Sequence, residues 1–261
     1  MSFLLAASGT PLTQQGLQQA IESHSIGPAE LWSVLSVETS GCGFLADRRP
    51  KILFERHIFS RLTGGRFDAD DPDISAPSAG GYGPSGAHQF DRLNAAMQLD
   101  QTAALQSASW GLGQIMGENY GPAGFASPEL MVTAMVQSED EQLLAMASFL
   151  GKMDMIGSLQ AHDWSGFARR YNGPDYAANN YDGLLANFYH RYSTGPTPDL
   201  TVRSVQVFLL YQGYSVGAVD GVMGPNTRNC IAAFQGKAGI EVTGEVDPRL
   251  LAALRQATAG A

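Results

Sequence analysis

The sequence predicts a mainly α protein with a small β element, followed by a small three-helix domain. Three observations carry this. Apolar residues recur at helical spacing over most of residues 12–192. Only one short run reads as a strand. A Pro- and Gly-containing break, Ser193 to Asp199, separates a second set of short amphipathic runs. At 261 residues the chain has room for one large core and one small one.

Leu12 to Ser23 and Pro28 to Ser40 read as the first two helices. In the second, Leu31, Val34, Leu35 and Glu38 fall at i, i+3, i+4 and i+7, so Glu38 shares a face with apolar side chains. Lys51 to His57 is short and partly β-like, and is read as a strand. Gly64 to Gly86 is rich in Gly, Pro, Asp and Ser, which predicts a long surface excursion of the kind that often carries function. Helical patterns resume at Phe90 and run to Tyr192. Within them, Ser127-Pro-Glu129 supplies an N-cap and a proline at the first helical position, and Ser138-Glu-Asp-Glu141 forms a capping box. Tyr181 to Tyr192 precedes the break and Leu200 to Tyr211 follows it. Pro225 and Pro248 sit early in two further short helices, where proline is tolerated. The division expected is a large domain over 1–192, a linker over 193–199 and a small domain over 200–257.

The net charge of −9 is unevenly placed. Residues 1–195 hold 11 Lys+Arg against 20 Asp+Glu, whereas residues 196–261 hold 5 of each. An acidic main body argues against nucleic acid as a partner and against an anionic membrane surface. It fits poorly charged substrates such as sugars. No apolar run approaches the length that a membrane-spanning helix needs. The opening, Met1 to Pro11, has a short apolar stretch without a basic segment, which makes it a poor export signal and implies synthesis in the cytoplasm. Cys42 and Cys230 fall in different expected domains, and a bridge between them would cross a flexible linker, so both are read as free thiols. The five histidines are scattered and no Cys/His spacing suggests a metal, so neither metal nor organic cofactor is implied.

The chemistry centres on Glu38. Desolvation on an apolar helix face disfavours its charged form, and so does the negative end of the helix. Both raise its pKa, as a general acid near neutral pH requires. The plain alternative is a helix-end glutamate paired with an arginine. Two later segments add to it. Ser109-Trp-Gly-Leu-Gly-Gln-Ile-Met116 offers glycines for close approach, a flat indole at Trp110 and an amide at Gln114. Arg170-Tyr-Asn-Gly-Pro174 offers a phenol at Tyr171 and an amide at Asn172. Pyranose faces are met by such apolar planes, and sugar hydroxyls by such amides. Taken singly, Trp110 reads as a core aromatic, Gln114 as a helix cap and Tyr171-Asn-Gly173 as a helix end.

Taken in order, the three segments resemble the lysozyme superfamily. Val37-Glu-Thr-Ser-Gly41 resembles the catalytic-glutamate motif of goose-type lysozymes and soluble lytic transglycosylases. Gly111-Leu-Gly-Gln-Ile115 resembles their Gly-Leu-Met-Gln-Ile segment, and Tyr171-Asn-Gly173 their Tyr-Asn-Gly segment. Val37 to Phe44, Arg49 to His57 and Ser109 to Asn119 are closer still to the N-acetylmuramidase domain of modular phage endolysins. The resemblance covers most of residues 20–192. It implies an α+β lysozyme-like catalytic domain that cleaves the β-1,4 bond between N-acetylmuramic acid and N-acetylglucosamine. It gives Glu38 the general-acid role, maps Gln114, Tyr171 and Asn172 to the substrate cleft, and gives Ser109 a supporting part there. The second carboxylate stays open between two residues. Asp47 lies nine residues after Glu38 but precedes Arg48 and Arg49, so an ion pair explains it too. Glu55 lies on the expected strand beside Arg56 and His57. A lytic transglycosylase on the same fold needs only one glutamate.

Residues 200–257 resemble the three-helix peptidoglycan-binding domain of cell-wall enzymes. The match runs through Val205 to Tyr214, Val219-Asp-Gly-Val-Met-Gly224, Thr227, Ala233-Phe-Gln235, Gly239-Ile240, Thr243 to Asp247, and Leu250-Leu251. Asp220, Gly221 and Gly224 read as turn formers. The partner implied is the glycan strand of peptidoglycan, with the protein a monomer made without a signal peptide and acting on the wall after release from the host cytoplasm. A tethered binder raises local concentration at an immobile polymer. Loss of residues 196–261 is then expected to weaken activity on whole walls more than on soluble fragments. A non-catalytic wall-binding protein is the remaining reading.

Overall fold

The computed structural model describes residues 8–39 and 41–259. Residues 1–7, where most of the opening segment lies, and Ser40, the expected last residue of the second helix, fall outside them. The chain begins with α1 (Gln14–His24), capped by Thr13, whose Oγ1 accepts from Gly16 N at 3.0 Å. Next comes α2 (Pro28–Thr39), which buries Leu31, Trp32, Val34 and Leu35 completely or nearly so. The Pro28 start uses a position where the missing N–H costs nothing.

The expected strand is shorter than its apolar text. β1 covers only Ile52–Phe54, and α3 (Arg56–Thr63) starts at once with Glu55 at its N-cap. Glu55 accepts backbone hydrogen bonds from Ile58 and Phe59, and Phe59, Ser60 and Thr63 turn inward. That helical spacing becomes visible only beyond His57, which is why Arg56 and His57 read as strand. Residues 64–86 form the expected excursion and contain no helix or strand. The excursion is tied down, because Arg56 donates to Ser78 O and Pro72 O, and Arg92 donates to Asp73 O and Tyr82 O.

α4 (Ala87–Leu99) and α5 (Gln101–Gln106) lead into β2 (Ala108–Trp110) and β3 (Ile115–Met116). The three strands form one antiparallel sheet in the order β1-β2-β3. Then follow α6 (Pro128–Met135), α7 (Glu139–Lys152), α8 (Ile156–Gln160), α9 (Trp164–Asn172) and α10 (Tyr181–Thr194). Ser127 and Ser138 cap α6 and α7 by accepting from Leu130 N and Glu141 N. Helix α1 packs on α7, and α2 packs on α10. Trp110, Phe54, Leu112, Met146 and Leu150 lie in the shared core.

The last three helices are α11 (Leu200–Tyr211), α12 (Pro225–Ala238) and α13 (Pro248–Ala259). Asp199 caps α11, accepting from Thr201 N and Val202 N. Their core gathers Val205, Leu209, Ile231, Phe234, Leu250 and Leu254. It also takes in Cys42 and Phe44, from the segment after α2. The C-terminal helices therefore share a core with the first part of the chain, which the picture of a unit on a flexible linker does not include. Both cysteines are free thiols. Among the described residues no helix is long and apolar enough to cross a membrane.

Candidate active site

Glu38 sits in the last turn of α2, whose Leu31, Val34 and Leu35 are fully buried. As a residue Glu38 is half-buried. Burial pushes its carboxyl from the ordinary 4.5 up to about 7, and a hydrogen bond from the Asn172 side chain partly offsets the rise. Near neutral pH the group is thus poised between its acid and its anion. Asn172 ends α9, and Tyr171 beside it sends its hydroxyl to Gly113 O at 2.5 Å. The Tyr171 ring stacks on Phe167 and meets Phe149 edge-on. Burial pushes its phenol well above the ordinary range, and the charge of Glu38 adds to that. These contacts join the end of α2, the end of α9 and the β2–β3 turn.

The sheet is tied to these groups through the Tyr171–Gly113 bond. Ile52, Phe54, Ala108, Trp110 and Ile115 are buried in the core. Register puts Leu53 opposite Ser109, and Ser109 opposite Met116, so these three lie on the other face. Glu55 extends that face two residues beyond Leu53, its N–H still bonded to Ser107 O at 2.8 Å. Trp110 is a core residue and offers no plane to a sugar; its indole N–H donates to Leu105 O.

Gln114 closes the β2–β3 turn with a positive φ of 49°. Its amide oxygen accepts from Ser109 Oγ at 2.9 Å, and its nitrogen donates to Gly111 O at 2.7 Å and Lys51 O at 3.3 Å. Gln114 and Ser109 thus brace the hairpin and tie it to β1.

The two candidate second carboxylates have different surroundings. Asp47 is exposed in a loop and bound to Arg49, with Arg49 Nη2 at 2.6 Å and Arg49 N at 3.1 Å. None of its contacts reaches Glu38, Tyr171 or Asn172. Glu55 is mostly buried and shares a hydrogen bond with the Tyr82 hydroxyl. Its Oε2 lies 3.1 Å from His57 Nδ1, an ion-pair distance, yet the angle makes no hydrogen bond and both atoms stay unpartnered. The distance alone overstates that pair.

Three participants carry no sequence motif. Tyr181, the first residue of α10, has its phenol pushed up by burial and then by the charge of Glu38, so it borders the same site. Tyr82 comes from the long excursion. Gln142 on α7 accepts from Leu112 N at 2.8 Å and donates to Met135 O at 2.8 Å, fixing the Gly111–Gln114 turn from behind. Only the long-range fold brings them there, although a phenol beside an apolar helix start is a weak signal for Tyr181. A cavity of about 840 Å³ between α1 and the Pro196–Thr201 segment does not include Glu38. Among the described residues no group of three or more His, Cys, Asp or Glu side chains could hold a metal.

Residues 27–193 match the family model of N-acetylmuramidase, and residues 199–254 match that of a peptidoglycan binding domain. The crystal structure of Burkholderia AP3 phage endolysin is 38% identical, with a TM-score of 0.65, and the match covers 70% of this chain and 71% of that one. No match was found among curated proteins. The N-acetylmuramidase match spans more than half of the chain and contains Glu38, Glu55, the hairpin and the Tyr171-Asn172 pair. The chain therefore belongs to the N-acetylmuramidase family of lysozyme-type glycoside hydrolases.

Proposed function

We propose that this enzyme cleaves the β-1,4 bond between N-acetylmuramic acid and N-acetylglucosamine in peptidoglycan, with Glu38 as the general acid. The observation that carries this reading is the Glu38 carboxyl, raised to about 7 by burial and held by Asn172. A neutral carboxyl can protonate the glycosidic oxygen as the C1–O bond breaks, leaving Glu38 as its anion. The Asn172 hydrogen bond then stabilises that anion. The ring positive charge that develops needs a second carboxylate. We assign it to Glu55, because Glu55 continues the Leu53–Ser109 face of the sheet and keeps a buried oxygen without a hydrogen bond. In hydrolysis it activates water or attacks the anomeric carbon. Asp47, engaged by Arg49, is assigned a structural part. Tyr171 and Asn172 border the substrate; Ser109 and Gln114 shape the wall on which it lies.

Residues 1–192 would form the catalytic domain, 193–199 the connection and 200–257 the wall-binding domain of a monomeric endolysin. The test is digestion of purified peptidoglycan with mass analysis of the fragments. New reducing ends at N-acetylmuramic acid support the reading, whereas 1,6-anhydro ends would replace it with transglycosylation. Glu38→Gln is expected to abolish cleavage while the protein stays folded, and substantial residual cleavage would remove Glu38 from the central role.

A further inference from the structure

We infer that Arg203, carried by the C-terminal helices, is a positioning residue for the segment that bears Glu38, so that the wall-binding unit completes the catalytic geometry as well as tethering it. This rests on Glu38 being the general acid.

Arg203 and Glu139 are both completely buried where the two parts of the chain meet. Arg203 Nη1 donates to Glu139 Oε2 at 2.5 Å, and Nη2 donates to Glu139 Oε1 at 2.8 Å. The same Nη2 also donates to the carbonyl of Gly41. Glu139 Oε1 accepts from Gly43 N and Oε2 from Leu12 N, each at 2.8 Å. One ion pair thus holds Gly41 and Gly43, which lie three and five residues after Glu38. The planar fork of arginine suits this double duty.

The clamp continues on both sides. Gly41 lies so close to the C-terminal unit that a Cβ there would collide with Val219 O, and its φ is +87°. Cys42 and Phe44 insert into the C-terminal core. Gly43 O accepts from Lys51 N at 2.7 Å, and Gln114 donates to Lys51 O. Gln142, one turn along α7 from Glu139, holds Leu112 N. A continuous set of contacts therefore runs from Arg203 to Gly41, two residues beyond the end of α2, and to the Gly111–Gln114 turn. Loosening it lets water reach the last turn of α2, which favours the ionised acid.

The test uses full-length protein and the double variant Glu139→Gln with Arg203→Met, which removes both charges and the bond to Gly41. It is measured beside wild type, Glu38→Gln and Tyr211→Phe. The last variant deletes the Tyr211 hydroxyl bond to Gly9 O, at 2.7 Å on the same interface, and leaves the Arg203–Glu139 and Arg203–Gly41 bonds in place. On a soluble glycan oligomer the double variant is expected to lose about tenfold in kcat with KM within about twofold. Its alkaline kcat limb is expected to move to lower pH, while binding to purified sacculi and the Tyr211→Phe profile stay as in wild type. A wild-type kcat and limb in the double variant overturn the proposal. If the double variant does not fold, Arg203→Lys carries the test: a smaller change in the same direction supports the proposal, and no change overturns it. Activity in Glu38→Gln would instead overturn the reading of the acid itself.

Discussion

The raised pKa of Glu38 costs the fold stability at neutral pH. Its folded-state pKa of about 7 lies above the ordinary 4.5, so between those values the native state keeps a proton that the unfolded chain releases. The sign follows directly: this contribution is most favourable at and below pH 4.5 and is lost as pH rises toward 7, by about 3 kcal/mol. Glu38→Gln removes the effect. Urea unfolding should show the variant more stable than wild type by up to about 3 kcal/mol at pH 8, with the gap closing near pH 4.5. Asn172 acts in the opposite direction, because its hydrogen bond favours the anion. Asn172→Ala should move the alkaline limb of kcat to higher pH by about 0.5–1 unit, checked by pH–rate profiles on a soluble substrate. The position of Glu38 on an apolar face was legible from the spacing of Leu31, Val34 and Leu35. The cause of its shift divides differently than the helix end suggested, since burial dominates and a long-range amide opposes it. Neither Asn172 nor Tyr181 announces that partnership locally, because both come from helices far along the chain from α2.

The elements meet through bonds from one segment to another. Tyr171 ties the end of α9 to Gly113 on the hairpin, so Tyr171→Phe leaves that carbonyl short of a partner. A destabilisation of about 1 kcal/mol and a several-fold drop in kcat are expected, read by thermal unfolding and by rates on soluble glycan. At the end of β1, Glu55→Gln should lower kcat about 100-fold, whereas Asp47→Asn should stay within about twofold. A reversed order in those rates would move the second carboxylate to Asp47. Helices α11 to α13 were legible because Leu200 to Tyr211 reads as an amphipathic run and Pro225 and Pro248 fall early in the next two. Strands β2 and β3 were not. They are very short and are joined by a Gly-rich turn, so no alternation could develop, and their pairing partner β1 lies far back in the chain. The bracing part of Gln114 was hidden for the same reason: only the folded hairpin shows its amide bonded to Ser109, Gly111 and Lys51.

At the scale of the whole molecule, the C-terminal helices and the lysozyme-like part share an interface with a fully buried ion pair. Removing one member strands the other, so Arg203→Met alone should cost about 3–5 kcal/mol. Deleting residues 196–261 should therefore impair turnover of soluble fragments as well as of whole walls, in contrast to what a pure tether would give. The two-part organisation was legible from Ser193 to Asp199, but the interface was not. Arg203 and Glu139 are distant in sequence and look like ordinary surface charges until both are buried. The most direct test is a titration of the Glu38 side-chain carboxyl in the intact protein, followed by carbon NMR with Glu38→Gln identifying the resonance. A midpoint near pH 7 is expected, and one near the ordinary 4.5 would mean that the carboxyl is not held in its neutral form by burial.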